Sequence, residues 1–261
     1  MNKNKLQIIG IIPARLASSR LPNKPMADIL GMPMIGHVYF RSKMSEIFDE
    51  VYVATCDKEI YDYISKIGGK AVMTADTHER ASDRTAEALL KVENESGNKV
   101  DIVVMIQGDE PMITPDMISA AVNPLLEDDS LNITNLMEAI YTQEEHEDPA
   151  EVKVVVDKKS NALYFSREPI PSRKKGASSI PMLKQVCIIP FRRDFLLEYN
   201  SMEQTPLEII ESVDMNRLLE NGIPIRMVMR PEETFSVDTI ADLNNVNNKM
   251  KDDPLLKKYM N

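Results

Sequence analysis

Tryptophan is absent, and the 261 residues include only two cysteines, three histidines and nine glycines. Cys56 and Cys187 lie far apart with no metal-type spacing, so the sequence encodes neither a zinc site nor a disulfide framework. His37, His78 and His146 share no ligand spacing and are read as ordinary surface or core residues. The first apolar strand is not followed by Gly-x-Gly-x-x-Gly, and no P-loop follows elsewhere, which disfavours a dinucleotide oxidoreductase. Motifs for a serine or cysteine nucleophile are also missing. Positive charge is in deficit, 31 Lys and Arg against 41 Asp and Glu, for a net charge of −10. That balance argues against a nucleic-acid partner, because no surplus of Lys and Arg exists to displace counterions from phosphates, and equally against an anionic membrane surface. The longest apolar runs are strand-sized, well short of the roughly 20 residues that span a bilayer. No secretory signal precedes the first strand, so the expected location is the reducing cytoplasm, with both thiols free.

What is present is ordinary globular material, 43% hydrophobic and 28% charged, in a strand–helix alternation. Strands are expected at Leu6–Ile12, Glu50–Thr55, Lys70–Met73 and Asp101–Ile106, and helices at Met34–Met44, Lys58–Ile67, Asp83–Glu93 behind a Ser82 cap, and Pro115–Glu127 behind Thr114. This order implies an α/β fold with a mostly parallel central sheet, right-handed crossovers and flanking helices. Beyond about residue 130 strands crowd together (Asn132–Tyr141, Val152–Asp157, Ala162–Ser166, Leu183–Ile189), which predicts an inserted, smaller mixed α/β subregion. A mobile loop is expected at Ser172–Ser179, helices at Arg192–Tyr199 and Pro206–Asn221, a last strand at Pro224–Met229 and a closing helix at Ile240–Lys251.

Four motifs carry chemistry. The first strand empties into Pro13-Ala14-Arg15-Leu16-Ala17-Ser18-Ser19-Arg20-Leu21-Pro22-Asn23-Lys24-Pro25, a loop with three cations and two hydroxyls on a stiff frame. Loops at the C-terminal ends of parallel strands bind ligands, and guanidinium forks with a lysine point charge suit a triphosphate. The fourth strand closes in Gln107-Gly108-Asp109-Glu110-Pro111, where Gly108 permits close approach of a ligand and Asp109 offers a free carboxylate. Late in the chain, Phe235-Ser236-Val237-Asp238-Thr239 precedes the last helix. Asp238 can belong to the helix cap or pair with Asp109. As a pair the two carboxylates would hold Mg²⁺, which needs only one or two protein ligands when phosphates supply others. Arg80-Ala81-Ser82-Asp83-Arg84 enters a helix. Helix starts favour anions, and Arg84 suits a base carbonyl or a carboxylate, though a plain capped helix explains the stretch as well.

Together these stretches resemble the CMP-sugar synthetases, specifically the 3-deoxy-manno-octulosonate (Kdo) cytidylyltransferases. The ordered matches also include Gly31…Pro33-Met34-Ile35…His37-Val38, Val53-Ala54-Thr55, Val152-Lys153-Val154-Val155, Ala162-Leu163-Tyr164-Phe165-Ser166-Arg167, Pro206-Leu207-Glu208…Glu211 and Val237-Asp238-Thr239…Asp242-Leu243, covering nearly the whole chain. The resemblance implies one nucleotidyltransferase domain over 1–261, dimeric through the subregion around 132–220, that activates a 2-keto-3-deoxy sugar acid with CTP for a surface glycan such as lipopolysaccharide. Catalysis would fall to Arg15, Lys24, Asp109 and Asp238, with Mg²⁺ on the two aspartates. Pro13, Ala14, Arg15, Ser18, Lys24, Ala54, Thr55, Ser82, Arg84 and Gln107 would bind nucleotide. Arg84, Gln107, Tyr164, Gln185, Glu211 and Asp214 would bind the acceptor. Departures cluster at the acceptor end: Gln185-Val186-Cys187-Ile188-Ile189 stands where the family has His-Leu-Gly-Ile-Tyr, and Asp214-Met215-Asn216-Arg217 where it has Glu-Gln-Leu-Arg. These leave open another ulosonic acid or an amino-sugar acid as acceptor; a non-catalytic nucleotide-binding protein is the remaining alternative.

Overall fold

The computed structural model describes residues 5–18, 20–174, 176 and 180–260. Its first strand, β1 (Ile8–Ala14), is buried at every position. A loop and a single 3₁₀ turn (Lys24–Met26) lead to a tiny ribbon, β2 (Asp28–Ile29) and β3 (Met32–Pro33). Then follow α1 (Met34–Lys43), β4 (Glu50–Thr55), α2 (Lys58–Lys66), β5 (Lys70–Met73), α3 (Ala81–Ser96), β6 (Ile102–Ile106) and α4 (Pro115–Glu127). The Thr114 side chain accepts from the Met117 amide at 3.2 Å and caps α4 as its sequence predicts. The later part holds β7 (Thr134–Ala139), α5 (Gln143–Glu147), β8 (Lys153–Val156), β9 (Ala162–Ser166), β10 (Leu183–Val186), β11 (Ile188–Arg192), α6 (Arg193–Ser201), α7 (Pro206–Glu211), α8 (Asn216–Glu220), β12 (Arg226–Arg230) and α9 (Ile240–Met250).

Five strands form a central sheet in the order β11-β6-β1-β4-β5. The contacts among β6, β1, β4 and β5 are parallel, and β11 joins β6 antiparallel. Both faces are covered, as a parallel sheet requires. Ile9 and Ile11 enter a core shared with Leu89 of α3 and Leu196 of α6. Ile8 and Ile12 point to the other face, against Val38 of α1 and Ile118 of α4. Parallel strands end together, so the loops after β1, β4 and β6 meet at one edge.

A second five-stranded sheet, β12-β7-β10-β8-β9, is mixed: β12 runs parallel to β7 and the other pairs are antiparallel. Strands β7 to β10 come from the residues expected to form the mixed subregion, whereas β12, the expected last strand, lies beyond them in sequence.

Two elements differ from expectation. The strand-like run Leu183–Ile189 is not one strand: it breaks at Cys187, sending β10 to the second sheet and β11 to the first. The expected helix Pro206–Asn221 is two short helices, α7 and α8, separated at Ser212 with φ 51°. Apolar residues continue across both breaks, which is why the sequence pattern alone joined the two sides. Within the expected loop Ser172–Ser179, residues 175 and 177–179 lie outside the described residues.

Candidate active site

The sheet's C-terminal edge forms one wall of a cleft of about 470 Å³, and the ends of β8, β9 and β10 with the α7–α8 break form the other. The loop after β1 is fixed from beneath. Pro13 and Ala14 pair with Ala54 and Thr55 of β4. The Thr55 hydroxyl accepts from the Asp57 amide at 3.0 Å, and the Asp57 carboxylate accepts from the Leu16 amide at 2.8 Å. Ala54 and Thr55 are fully buried, so they support the loop and do not line the cleft. Pro13, Ala14, Arg15, Ser18 and Lys24 do line it, joined by Arg20. Arg15 is exposed, its guanidinium donating to the His78 carbonyl at 3.4 Å.

Lys24 sits at the cleft's charged centre. Its Nζ donates to Asp109 Oδ2 at 2.6 Å and to Asp238 Oδ1 at 2.8 Å. Burial works against the charge on Lys24, but the two carboxylates outweigh it and hold its pKa above the ordinary lysine value. Asp109 and Asp238 are brought together by the main chain, since the Val237 amide donates to the Asp109 carbonyl at 3.0 Å. Thr239 and Asp242 form the capping box of α9, which leaves the Asp238 carboxylate free for Lys24 and for Arg20 at 2.9 Å. Gly108 is closely packed: a Cβ there would stand 3.2 Å from Ile35 and 3.3 Å from the Pro13 carbonyl, so a larger residue would need its neighbours to give by a few tenths of an ångström. Among the described residues no group of three or more acidic, His or Cys side chains could hold a metal. Two carboxylate oxygens within 2.8 Å of one nitrogen nevertheless suit a single hard divalent cation completed by phosphates.

Arg84 and Gln107 also line the cleft. Arg84 is 3% exposed and donates through one nitrogen to Thr74 and to the Ala75 carbonyl at 3.1 Å, while its second terminal nitrogen is buried without a partner among the described residues. A buried, unpaired guanidinium nitrogen at a cleft wall is a ready anchor for a ligand oxygen. Ser82 does not cap α3; Arg80 is the boundary residue. Ser82 lies one step inside the helix, fully buried, and its hydroxyl donates to Asp214 at 3.1 Å. It therefore lies behind the cleft and holds Asp214, which does line it, in place with Arg80 at 3.3 Å.

Gln185 lines the cleft, but its amide nitrogen is committed to Asn135 at 2.6 Å. Tyr164 and Glu211 stand outside the lining. The Glu211 carboxylate accepts from the Tyr164 hydroxyl at 3.0 Å, the Ser166 hydroxyl at 2.8 Å and the Arg167 amide at 2.8 Å. It thereby fixes the end of β9, and Arg167 with it, beside the cleft. Sequence reasoning missed Glu110, which is 6% exposed yet lines the cleft; burial, then the neighbouring Asp109 charge, push its carboxyl well above the usual range. Its place in the Gly-Asp-Glu-Pro turn was the available signal. Glu151, held at 3.3 Å by the buried Lys184, was missed without any signal in the sequence.

A family model described as cytidylyltransferase matches residues 9–230. The chain belongs to the cytidylyltransferase family. Among curated relatives, the 3-deoxy-manno-octulosonate cytidylyltransferase of Geobacter metallireducens is 39% identical over 255 residues, covering 94% of this chain and 98% of the relative. The enzyme of the same name from Syntrophus aciditrophicus is 41% identical over 240 residues, covering 92% and 96%. A solved CMP:2-keto-3-deoxy-manno-octonic acid synthetase in complex with CTP superposes with a TM-score of 0.85 at 39% identity, covering 94% of this chain and 98% of that one. The cytidylyltransferase fold extends further: 4-diphosphocytidyl-2C-methyl-D-erythritol synthase from Anaerococcus prevotii shares it at 13% identity and a TM-score of 0.62, covering 95% and 97%. Among the described residues no helix is long and apolar enough to cross a membrane.

Proposed function

We propose that this chain transfers CMP from CTP to 3-deoxy-manno-octulosonate, releasing pyrophosphate. The carrying observation is the convergence of Asp109, Asp238 and Lys24 at the sheet edge, 2.6 and 2.8 Å apart through the ammonium, in a member of the cytidylyltransferase family. The relatives' names supply the base and the sugar.

In this reading the acceptor's anomeric hydroxyl attacks the α-phosphorus. A new C–O–P bond forms, the bond to the β-phosphate oxygen breaks, and the hydroxyl proton leaves to solvent. Asp109 and Asp238 would hold Mg²⁺, which would neutralise charge on the reacting phosphate. Arg15 and Lys24 grip the triphosphate and take up charge on the departing pyrophosphate. Pro13, Ala14 and Ser18 shape the phosphate loop. Gln107 and the free nitrogen of Arg84 face nucleotide and acceptor, while Asp214 and Gln185 border the acceptor end. Ala54, Thr55, Ser82, Tyr164 and Glu211 act by holding these groups in place.

We infer one nucleotidyltransferase domain, 1–261, that works as a homodimer through the region 132–220. Leu163, Ile209 and Ile210 support this, exposed at 60%, 58% and 75% on β9 and α7. The free thiols Cys56 and Cys187 fit a cytoplasmic setting. The test is pyrophosphate release with each nucleoside triphosphate in turn, with and without Mg²⁺. CTP- and metal-dependent release supports the reading; release with another nucleotide in preference to CTP contradicts it. Light scattering at micromolar protein reads the mass of one chain or two.

A further inference from the structure

Lys24, Asp109 and Asp238 come from three separate loops, and one small apolar cluster takes residues from all three. Leu21 and Ala27 flank Lys24, Met112 follows Asp109, and Val237 precedes Asp238; all four pack into it. Val246 and Met250 of α9 and Leu256, in a 3₁₀ turn behind that helix (Leu256–Lys258), complete the cluster. Arg41 of α1, with no exposed surface, ties this last segment to the Asp109 loop. Its Nη1 donates to the carbonyls of Ile113 at 3.2 Å and Met112 at 3.5 Å, at the far end of that loop. Its Nη2 donates to the Asp253 carboxylate, and its Nε to the Tyr259 hydroxyl at 3.1 Å. The Tyr259 hydroxyl also meets His37 Nδ1 at 2.9 Å, and His37 Nε2 meets the Ile29 carbonyl at 2.8 Å. Burial favours the neutral imidazole, and a carbonyl only accepts, so Nε2 carries the proton and Nδ1 accepts. Tyr259 therefore accepts from Arg41 and donates to His37, while its ring stacks on Phe40 at 5.7 Å. A buried network with every nitrogen engaged rigidifies the backbone it touches. Arg41, His37, Asp253 and Tyr259 themselves stand outside the cleft lining.

Resting on the transfer reading above, we propose that Arg41 and Tyr259 are positioning residues for CMP transfer. The segment after α9 clamps Arg41 onto the Asp109 loop and thereby sets the spacing of Asp109 against Lys24 and Asp238. The clamp acts on the metal and the nucleotide, whose binding groups it places. It leaves the sugar acid unaffected, because the acceptor end is built from other elements, β10 and the α7–α8 break.

Tyr259→Phe removes the hydroxyl and keeps the ring that stacks on Phe40. For the full chain and this variant, calorimetry gives the affinity for Mg²⁺–CTP and urea unfolding gives the stability midpoint. Pyrophosphate release gives kcat and the KM for 3-deoxy-manno-octulosonate. Affinity for Mg²⁺–CTP and kcat should each fall by about 10-fold, with that KM held within about twofold. Arg41→Lys keeps a charge beside Asp253 but gives up the fork, and should reproduce the loss. Should Tyr259→Phe fail to fold, Asp253→Asn loosens the same clamp with Tyr259 in place. A lower urea midpoint with unchanged affinity and kcat in the folded variant makes the network structural only. That result overturns the proposal and leaves the transfer reading standing. Absence of pyrophosphate release from the unaltered chain, with CTP still bound, overturns the transfer reading and this inference with it.

Discussion

Asp109 and Asp238 share one ammonium: Lys24 Nζ lies 2.6 Å from the first carboxylate and 2.8 Å from the second, and the Val237 amide ties the two loops together at 3.0 Å. The same oxygens that hold the lysine face the cleft, so the pair is preorganised for a cation before any ligand arrives. Either Asp109→Asn or Asp238→Asn should lower kcat by roughly 100-fold or more. The double variant should lose little beyond either single one, because the two act as a unit. Steady-state kinetics across a Mg²⁺ titration checks this, and independent, multiplying losses would contradict it.

Arg84 divides its guanidinium between a structural contact and a nitrogen with no protein partner among the described residues. One terminal nitrogen is spent on Thr74 and the Ala75 carbonyl, and the other is buried. Arg84→Lys keeps the charge but loses the fork. It should raise the KM for CTP or acceptor by about tenfold with little change in the unfolding midpoint. A large fall in stability with unchanged KM would assign the residue to the fold alone.

Glu208 and Arg217 form a bidentate pair, Nε to Oε2 at 2.7 Å and a terminal nitrogen to Oε1 at 2.6 Å, with the side chains 0% and 3% exposed. It clamps α7 to α8 across the break that delivers Asp214 and Met215 to the cleft. Truncating one partner strands a buried charge, so Glu208→Ala should cost about 3–5 kcal/mol in urea unfolding. The apolar double replacement Glu208→Leu with Arg217→Met should recover most of the loss. A double variant as unstable as the single would show that the pair itself stabilises the fold.

Glu87 links pH to the loop that carries His78 and Arg80. Burial opposes its ionisation, but Lys91, the Ala75 amide and His78 outweigh burial and pull its pKa from 4.5 down to about 2. A depressed carboxyl contributes stability that is complete above the unfolded value and lost as pH falls toward the folded one. The urea midpoint should therefore drop between about pH 4.5 and 2, and Glu87→Gln should flatten that part of the profile. An unchanged slope in the variant would remove Glu87 from the linkage.

The first half of the fold was legible because its signals are local. β4 and β5 have the bounds expected for them, and Thr114 caps α4 at 3.2 Å as read. The Arg15–Lys24 loop and Asp109 were also legible, since strand-end position alone sends them to the ligand edge. Other features depend on distant partners. Nothing near Cys187 says that β10 and β11 leave for different sheets, because strand-forming residues continue across it with no turn signal. Ser82 carries the composition of a cap, yet its hydroxyl answers to Asp214 at 3.1 Å. Tyr164 and Glu211 were read as acceptor ligands on family resemblance, whereas their side chains bond to each other at 3.0 Å beside the cleft. Glu151 entered the lining because Lys184, on another strand, draws it there.

The most direct measurement combines purified protein, Mg²⁺, CTP and 3-deoxy-manno-octulosonate and follows pyrophosphate together with formation of the CMP-sugar. The prediction is stoichiometric appearance of both products, abolished by chelating the metal and by Asp109→Asn. Pyrophosphate that forms without the sugar, persists without metal, or survives Asp109→Asn at near-normal rate would contradict CMP transfer at the Asp109–Lys24–Asp238 centre.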